Sequence, residues 1–177
     1  MGRFVHQRHR KPLEEGGATG LIVACPPLRS GVNLARIVRV AGCCGVREMI
    51  VCGSRSIDTR IARDAVPQIT FHRHRTLGPV LDKWRQRGYR LVGLEQATHS
   101  IPLPEYAFPE KSLLVIGHER HGITAEILDR LDDVIEIPVF GRPPAYNVAT
   151  ATAIAIYEYC RQRLESGRGR LPRDGGD

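Results

Sequence analysis

Three stretches of this chain gather residue types that can hold a polar ligand. "SGVNLARIVR" (residues 30–39) carries Asn33 and two arginines, Arg36 and Arg39, three apart and so on neighbouring faces of a helix. "VIGHERHGI" (115–123) brackets Glu119 between Gly117 and Gly122. Two glycines allow a backbone turn to wrap closely round a small ligand. "IPVFGRPPAYNVATATAIAIYEY" (137–159) runs from an apolar strand through a broken loop into a long helix, with Asn147 at the junction. Asn is a favoured N-cap, because its side-chain oxygen accepts from an orphan N–H of the first turn. The stretch by itself leaves open whether Asn147 is only a cap or also part of a site.

The surrounding pattern says what must position these residues. Apolar runs at 20–25, 48–53, 112–117 and 133–139, with shorter ones at 68–73 and 89–95, read as strands. Helical spacing appears at 33–46, where Asn33 is the expected cap, and at 76–88 and 147–165, with shorter helices at 56–65 and 124–131. Strands and helices alternate, and continuous apolar runs mean strands covered on both faces. That predicts an α/β domain with a parallel sheet and helices on both faces. In such sheets ligands bind beyond the carboxyl ends of strands. The candidate positions follow Cys25, Cys52, Leu94, Ile116 and Val139. Residues 1–18 read as a flexible basic arm, 19–165 as the folded domain and 166–177 as a disordered tail rich in Gly and Arg.

Charge is distributed unevenly. Residues 1–90 hold 17 Lys/Arg against 6 Asp/Glu, a net of +11, and residues 91–177 hold 9 against 13, a net of −4. Such a field suits a polyanion, with Arg73 and Arg75 in "FHRHR" as candidate contacts and His72 and His74 on the same basic surface. No apolar run approaches the roughly 20 residues needed to span a bilayer, so no membrane partner is expected. The five cysteines form no CxxC pair and read as buried small side chains in a reducing compartment, which points to the cytoplasm. Trp84 and Tyr89 read as core anchors. Neither G-x-G-x-x-G after a strand nor a P-loop occurs, and "HERH" (118–121) is no zinc motif, so no metal is expected.

Order and spacing of the three stretches resemble the motifs of the SpoU (TrmH-type) RNA 2′-O-methyltransferases of the SPOUT superfamily. The likeness lies in Asn33 with Arg39 six residues on, "GHERHGI" (117–123), and "IPVFGRPPAYNV" (137–148), and it covers roughly residues 20–160. "VGLEQATHSIPLPEYAFPEKSLLVIGHERHGI" (92–123) is similar to the segment that marks the tRNA-guanosine branch. The resemblance implies a C-terminal trefoil knot, S-adenosylmethionine as cofactor, and RNA as substrate, tRNA before rRNA. It implies a homodimer whose partner completes the active site. Catalytic residues would be Arg39, Asn33, Glu119 and Asn147, with Glu119 holding either the loop before the first helix or Arg39. The cofactor would rest on backbone groups around Leu94, Glu95, Gly117, Ile137, Tyr146 and Val148, and Arg36, Arg73 and Arg75 would meet RNA. Ala145 stands where the family commonly has Ser, and His118 where Asn, Ser or Pro is usual. A catalytically silent RNA-binding module of the same fold is the alternative. For the dimer, a stripe of Ala149, Ala153 and Cys160 on the last helix, with Ala151 and Ala155 close by, is the expected contact, paired with the helix at 33–46.

Overall fold

The computed structural model describes residues 18 and 20–166. The expected arm and tail therefore lie outside the described residues, Ala18 and Ser166 apart. Among the described residues, seven strands are joined by five α-helices: β1 (Leu21–Cys25), α1 (Gly31–Cys43), β2 (Glu48–Cys52), α2 (Thr59–Ala62), β3 (Thr70–His74), α3 (Gly78–Gln86), β4 (Arg90–Leu94), β5 (Ile101–Pro102), β6 (Ser112–Ile116), α4 (Ala125–Leu128), β7 (Asp133–Glu136) and α5 (Val148–Glu165). The sheet order is β3-β2-β1-β6-β4-β7-β5, and every pairing is parallel.

Successive side chains of a strand point to opposite faces, and both faces are covered here. Leu21, Val23, Cys25, Met49, Val51 and Leu114 share a core with α1 and α5. Ile22, Ala24, Ile50, Cys52, Leu113 and Val115 share a second core with α3 and the α4 turn. All five residues of β1 and of β6 are buried, which explains their unbroken apolar runs.

Several boundaries differ from expectation for local reasons. α1 begins at Gly31, because Ser30 and not Asn33 is its cap: Ser30 Oγ accepts from the Asn33 N–H at 3.2 Å. The short helix expected over 56–65 stops at Ala62 and continues as a 3-10 segment, Arg63–Gln68, containing Pro67. β7 ends at Glu136, short of Pro138, which has no N–H to give a ladder. β5 has two residues, one of them a proline tolerated on an edge strand, and so leaves no sequence pattern.

Burial also corrects some side-chain expectations. Ala149, Ala155 and Cys160 of α5 are buried inside the chain, where small side chains let α5 lie close to α1. The Cys160 thiol points to the Cys44 carbonyl at 3.6 Å. The outward side of α5 instead carries Tyr157, which is 66% exposed. Cys43 is exposed and Cys44 half-buried, whereas Cys25 and Cys52 are buried, and burial pushes the Cys52 thiol up to about 11. His72 is not a free surface base. It pairs with Glu48 at 2.7 Å and meets the buried Trp84 edge-on, and Trp84 in turn meets Tyr89 at 5.0 Å.

Gly42 sits where α1 touches the 3-10 segment. A Cβ there would overlap the Ala65 Cβ and lie 3.0 Å from the Ala65 Cα. Alanine is preferred to glycine in a helix interior by about 1 kcal/mol, but overpacking against backbone costs about 1–3 kcal/mol. Gly42→Ala should therefore lower the thermal midpoint. A raised midpoint in calorimetry would show that the 63–68 segment yields freely.

Candidate active site

Because all strands run parallel, their carboxyl ends share one edge of the sheet. A cleft of about 310 Å³ opens there, between the ends of β4, β6 and β7 and the start of α5. Leu94, Ile116, Ile137 and Ala151 give it apolar walls, and Glu95, Glu119 and Asn147 give it polar ones. The six residues expected around a cofactor, Leu94, Glu95, Gly117, Ile137, Tyr146 and Val148, all line it.

Beside the cleft a directional hydrogen-bond chain joins three segments. The Glu119 carboxylate accepts from the Arg29 N–H at 3.0 Å, from the Ser30 N–H at 2.9 Å and from the Asn33 Nδ2 at 3.3 Å. Asn33 Oδ1 then accepts from Asn147 Nδ2 at 3.4 Å, and Asn147 Oδ1 accepts from the Ala149 N–H at 3.0 Å. The direction is forced. An ionised carboxylate can only accept, so Asn33 must turn its NH2 toward Glu119 and its oxygen toward Asn147. Asn147 must then donate and keep its own oxygen for the helix. It is both a cap and a member of the site. Burial alone would raise the Glu119 carboxyl. The N–H groups of Arg29 and Ser30, its own N–H and the Asn33 amide outweigh that and hold it below the usual carboxylate value.

The loop that presents Glu119 is itself clamped. His118 and Gly122 exchange backbone hydrogen bonds at 2.9 and 3.0 Å. Gly122 has φ +61°, and a Cβ on it would overlap the Glu95 carboxylate. That carboxylate accepts from the Ile123 N–H at 2.8 Å and from the Gln96 N–H at 3.0 Å. Glu95 thus ties the end of β4 to the loop after β6 through its side chain, a role the sequence does not display. His118 Nδ1 accepts from the Arg120 N–H at 3.1 Å, so in the neutral ring the proton lies on Nε2, 3.7 Å from Glu119 Oε2. His121 stacks on His118 at 5.0 Å.

The other expected residues lie apart. Arg36 and Arg39 are exposed on α1, without a hydrogen bond or ion pair among the described residues, and neither lines the cleft. Of the two jobs considered for Glu119, the structure shows it holding the loop before α1. Arg73 and Arg75 are exposed at the end of the edge strand β3, and Arg73 braces the Arg55 carbonyl at 3.0 Å. Ala145 lines the cleft without a hydroxyl to offer.

Residues 20–157 match the SpoU rRNA Methylase family. The chain belongs to that family. Its SpoU-type fold is also seen in solved relatives. The crystal structure of an Aquifex aeolicus TrmH/SpoU tRNA modifying enzyme superposes with a TM-score of 0.80 at 26% identity, over 90% of this chain and 85% of that one. The SpoU methyltransferase AviRb of Streptomyces viridochromogenes, solved with AdoMet, gives 0.72 at 25% identity, over 87% of this chain and 63% of that one. In sequence, a mouse tRNA (guanosine(18)-2′-O)-methyltransferase is 33% identical over 151 residues, 81% of this chain. The chain spans only 10% of that mouse protein's length.

Glu119→Gln tests the SpoU junction without deleting it. One carboxamide NH2 would face an N–H donor, so the thermal midpoint should fall. Because the native carboxyl is held low, its stabilisation is present above the ordinary carboxylate range and is lost as pH falls through the depressed value. The gap between wild type and variant should be largest near neutrality and narrow in acid. A gap unchanged down to strongly acidic pH would show that the charge of Glu119 is not what organises the loop.

Proposed function

We propose that this chain is an S-adenosylmethionine-dependent RNA 2′-O-ribose methyltransferase acting on tRNA, with guanosine as the modified nucleoside. The observation that carries the reading is the Glu119–Asn33–Asn147 chain set beside a cleft bounded by three strand ends. The names of the relatives and the AdoMet-bound family structure point the same way. The cleft suits the cofactor on its own terms. Its volume is at the lower end of the range of small-molecule sites, its walls are apolar, and its loops present main-chain groups. S-adenosylmethionine supplies an electrophilic methyl on a sulfonium centre.

The residues of this chain must bring a ribose hydroxyl in line with that methyl and take charge of its proton. In that transfer the ribose 2′-oxygen would take the methyl, the cofactor would be left as a neutral thioether, and the hydroxyl proton would pass to solvent. Asn33 and Asn147, held from behind by Glu119 and the α5 first turn, present fixed amides at the cleft edge. Arg39 supplies a guanidinium that grips the adjacent phosphate in a bidentate fork and polarises the hydroxyl. Arg39 does not line the cleft of its own chain, which accords with a homodimer in which Arg39 serves the partner's site. The dimer contact runs through the outward faces of α1 and α5, where Val32 and Tyr157 are exposed apolar side chains. The reading includes the family's trefoil knot. Residues 106–110 lie against α5, where Gln162 Nε2 donates to the Tyr106 carbonyl, Gln162 Oε1 accepts from the Phe108 N–H and the Tyr159 hydroxyl donates to the Glu110 carbonyl.

Arg39→Ala should cut methyl transfer to a tRNA transcript by about 10²–10⁴-fold and leave S-adenosylmethionine affinity within a few-fold by calorimetry. Equal loss of cofactor binding would assign Arg39 to the cofactor instead. Wild type should scatter light as a dimer at micromolar concentration. Tyr157→Asp should give a folded monomer that binds RNA yet transfers methyl poorly, and a fully active monomer would end the shared-site reading.

A further inference from the structure

The arginines of this chain divide by the edge of the sheet they occupy. Toward the amino ends of the strands they are neutralised. Arg85 pairs with Asp132 at 3.0 Å, Arg90 with Asp133 at 2.8 Å, Arg130 with Asp82 at 2.9 Å and Arg163 with Glu110 at 3.2 Å. Arg87 lies over the Trp84 ring. Arg47, just before β2, and Arg63, ahead of β3, are exceptions, exposed and unpaired among the described residues.

Toward the carboxyl ends the reverse holds. Arg75 follows β3, Arg55 follows β2, Arg29 follows β1, Arg120 follows β6 and Arg142 follows β7. All five are exposed, and none has a carboxylate partner among the described residues. The nearby acids are already engaged: Glu119 and Glu95 accept N–H groups of their loops, and Asp58 is held by Arg60.

The strand-end loops form one continuous rim. The Gly53 N–H donates to the His74 carbonyl at 3.0 Å, joining the ends of β2 and β3. Pro27 packs against Gly53, joining β1 to β2. Glu119 joins the β6 loop to the β1 loop. Parallel registers keep these ends level. Adjacent strands lie about 4.8 Å apart, so the path from β3 to β6 is roughly 15 Å long and ends at the cleft.

We infer that this rim is a phosphate track: Arg75, Arg55 and Arg29 hold the backbone of a single RNA strand flanking the target nucleotide, from the sheet's β3 edge to the cleft. The inference rests on the RNA methyltransferase reading for the identity of the polyanion. Its chemistry is separate: guanidinium forks set along the rim can each take a backbone phosphate. A single strand fits better than a duplex, because the ribose to be modified must enter the cleft itself. Arg73 also braces this rim, since its guanidinium donates to the Arg55 carbonyl.

The test is binding of a short fluorescein-labelled single-stranded RNA by anisotropy across a salt series. The variants are Arg55→Gln, Arg75→Gln, the double, and Arg47→Gln as an equal charge loss on the opposite edge. The double variant should bind about tenfold more weakly, and each track arginine lost should flatten log affinity against log salt by about 0.7. Arg47→Gln should bind like wild type, and thermal midpoints and S-adenosylmethionine affinity should not move. Equal weakening by Arg47→Gln would reduce the track to bulk charge and overturn it, as would wild-type binding by the double variant. Competition by polyglutamate or anionic vesicles as strong as by unlabelled RNA would also overturn it. Methyl transfer is measured separately: wild type that binds along the rim but modifies no tRNA sinks the enzymatic reading and leaves the track standing.

Discussion

Everything at the carboxyl edge depends on where one carboxylate finds its donors. Glu119 sits on a loop after β6 and accepts from two backbone N–H groups just ahead of α1 and one amide inside it. Those N–H groups are free because they precede the first helical hydrogen bonds. The helix dipole favours a negative charge at that end as well. The same contact therefore satisfies orphan donors, fixes the approach of β6 to β1, and lowers the carboxyl's proton affinity. With the carboxylate removed, the loop before α1 would keep its strand and its helix but lose what aims one at the other.

The packing behind the edge serves this contact. β1 and β6 are neighbours at the centre of the sheet, buried along their whole length, so their loops leave the sheet side by side. α1 and α5 cover the same face and lie close, because Ala149, Ala155 and Cys160 present little bulk to the core. That closeness brings the start of α5 within hydrogen-bonding reach of Asn33. A larger residue at any of these positions would separate Asn147 from Asn33 without touching either.

The architecture was legible in the sequence where its cause is local. Continuous apolar runs gave the buried strands, and their alternation with helical spacing gave a parallel sheet covered on both faces. The six cleft residues came from the resemblance, and the cleft forms round all of them. What escaped has causes remote in sequence. Ser30 caps α1 because Asn33 is drawn off by Glu119, 86 residues away. His72 reads as surface charge until β2 brings Glu48 beside it. The small residues of α5 suit a contact with either another chain or the protein's own α1, and periodicity cannot distinguish the two. Glu95 reads as one more polar residue at a strand end, and only the folded loop shows that Gly122 leaves room for its carboxylate.

The polarity of the chain from Glu119 to α5 also explains why amides occupy positions 33 and 147. Aspartate at 33 would set a carboxylate against Glu119 and leave the Asn147 NH2 as the sole donor between them. Aspartate at 147 would still cap α5 but could give nothing to Asn33 Oδ1. Each Asn must donate on one side and accept on the other, which a carboxamide does without titrating. Serine can also do both, but its shorter side chain could not span from one helix start to the other. The hydrogen-bond chain thus carries its one carboxylate at its far end, on backbone donors, and passes neutral amides toward Asn147 and α5.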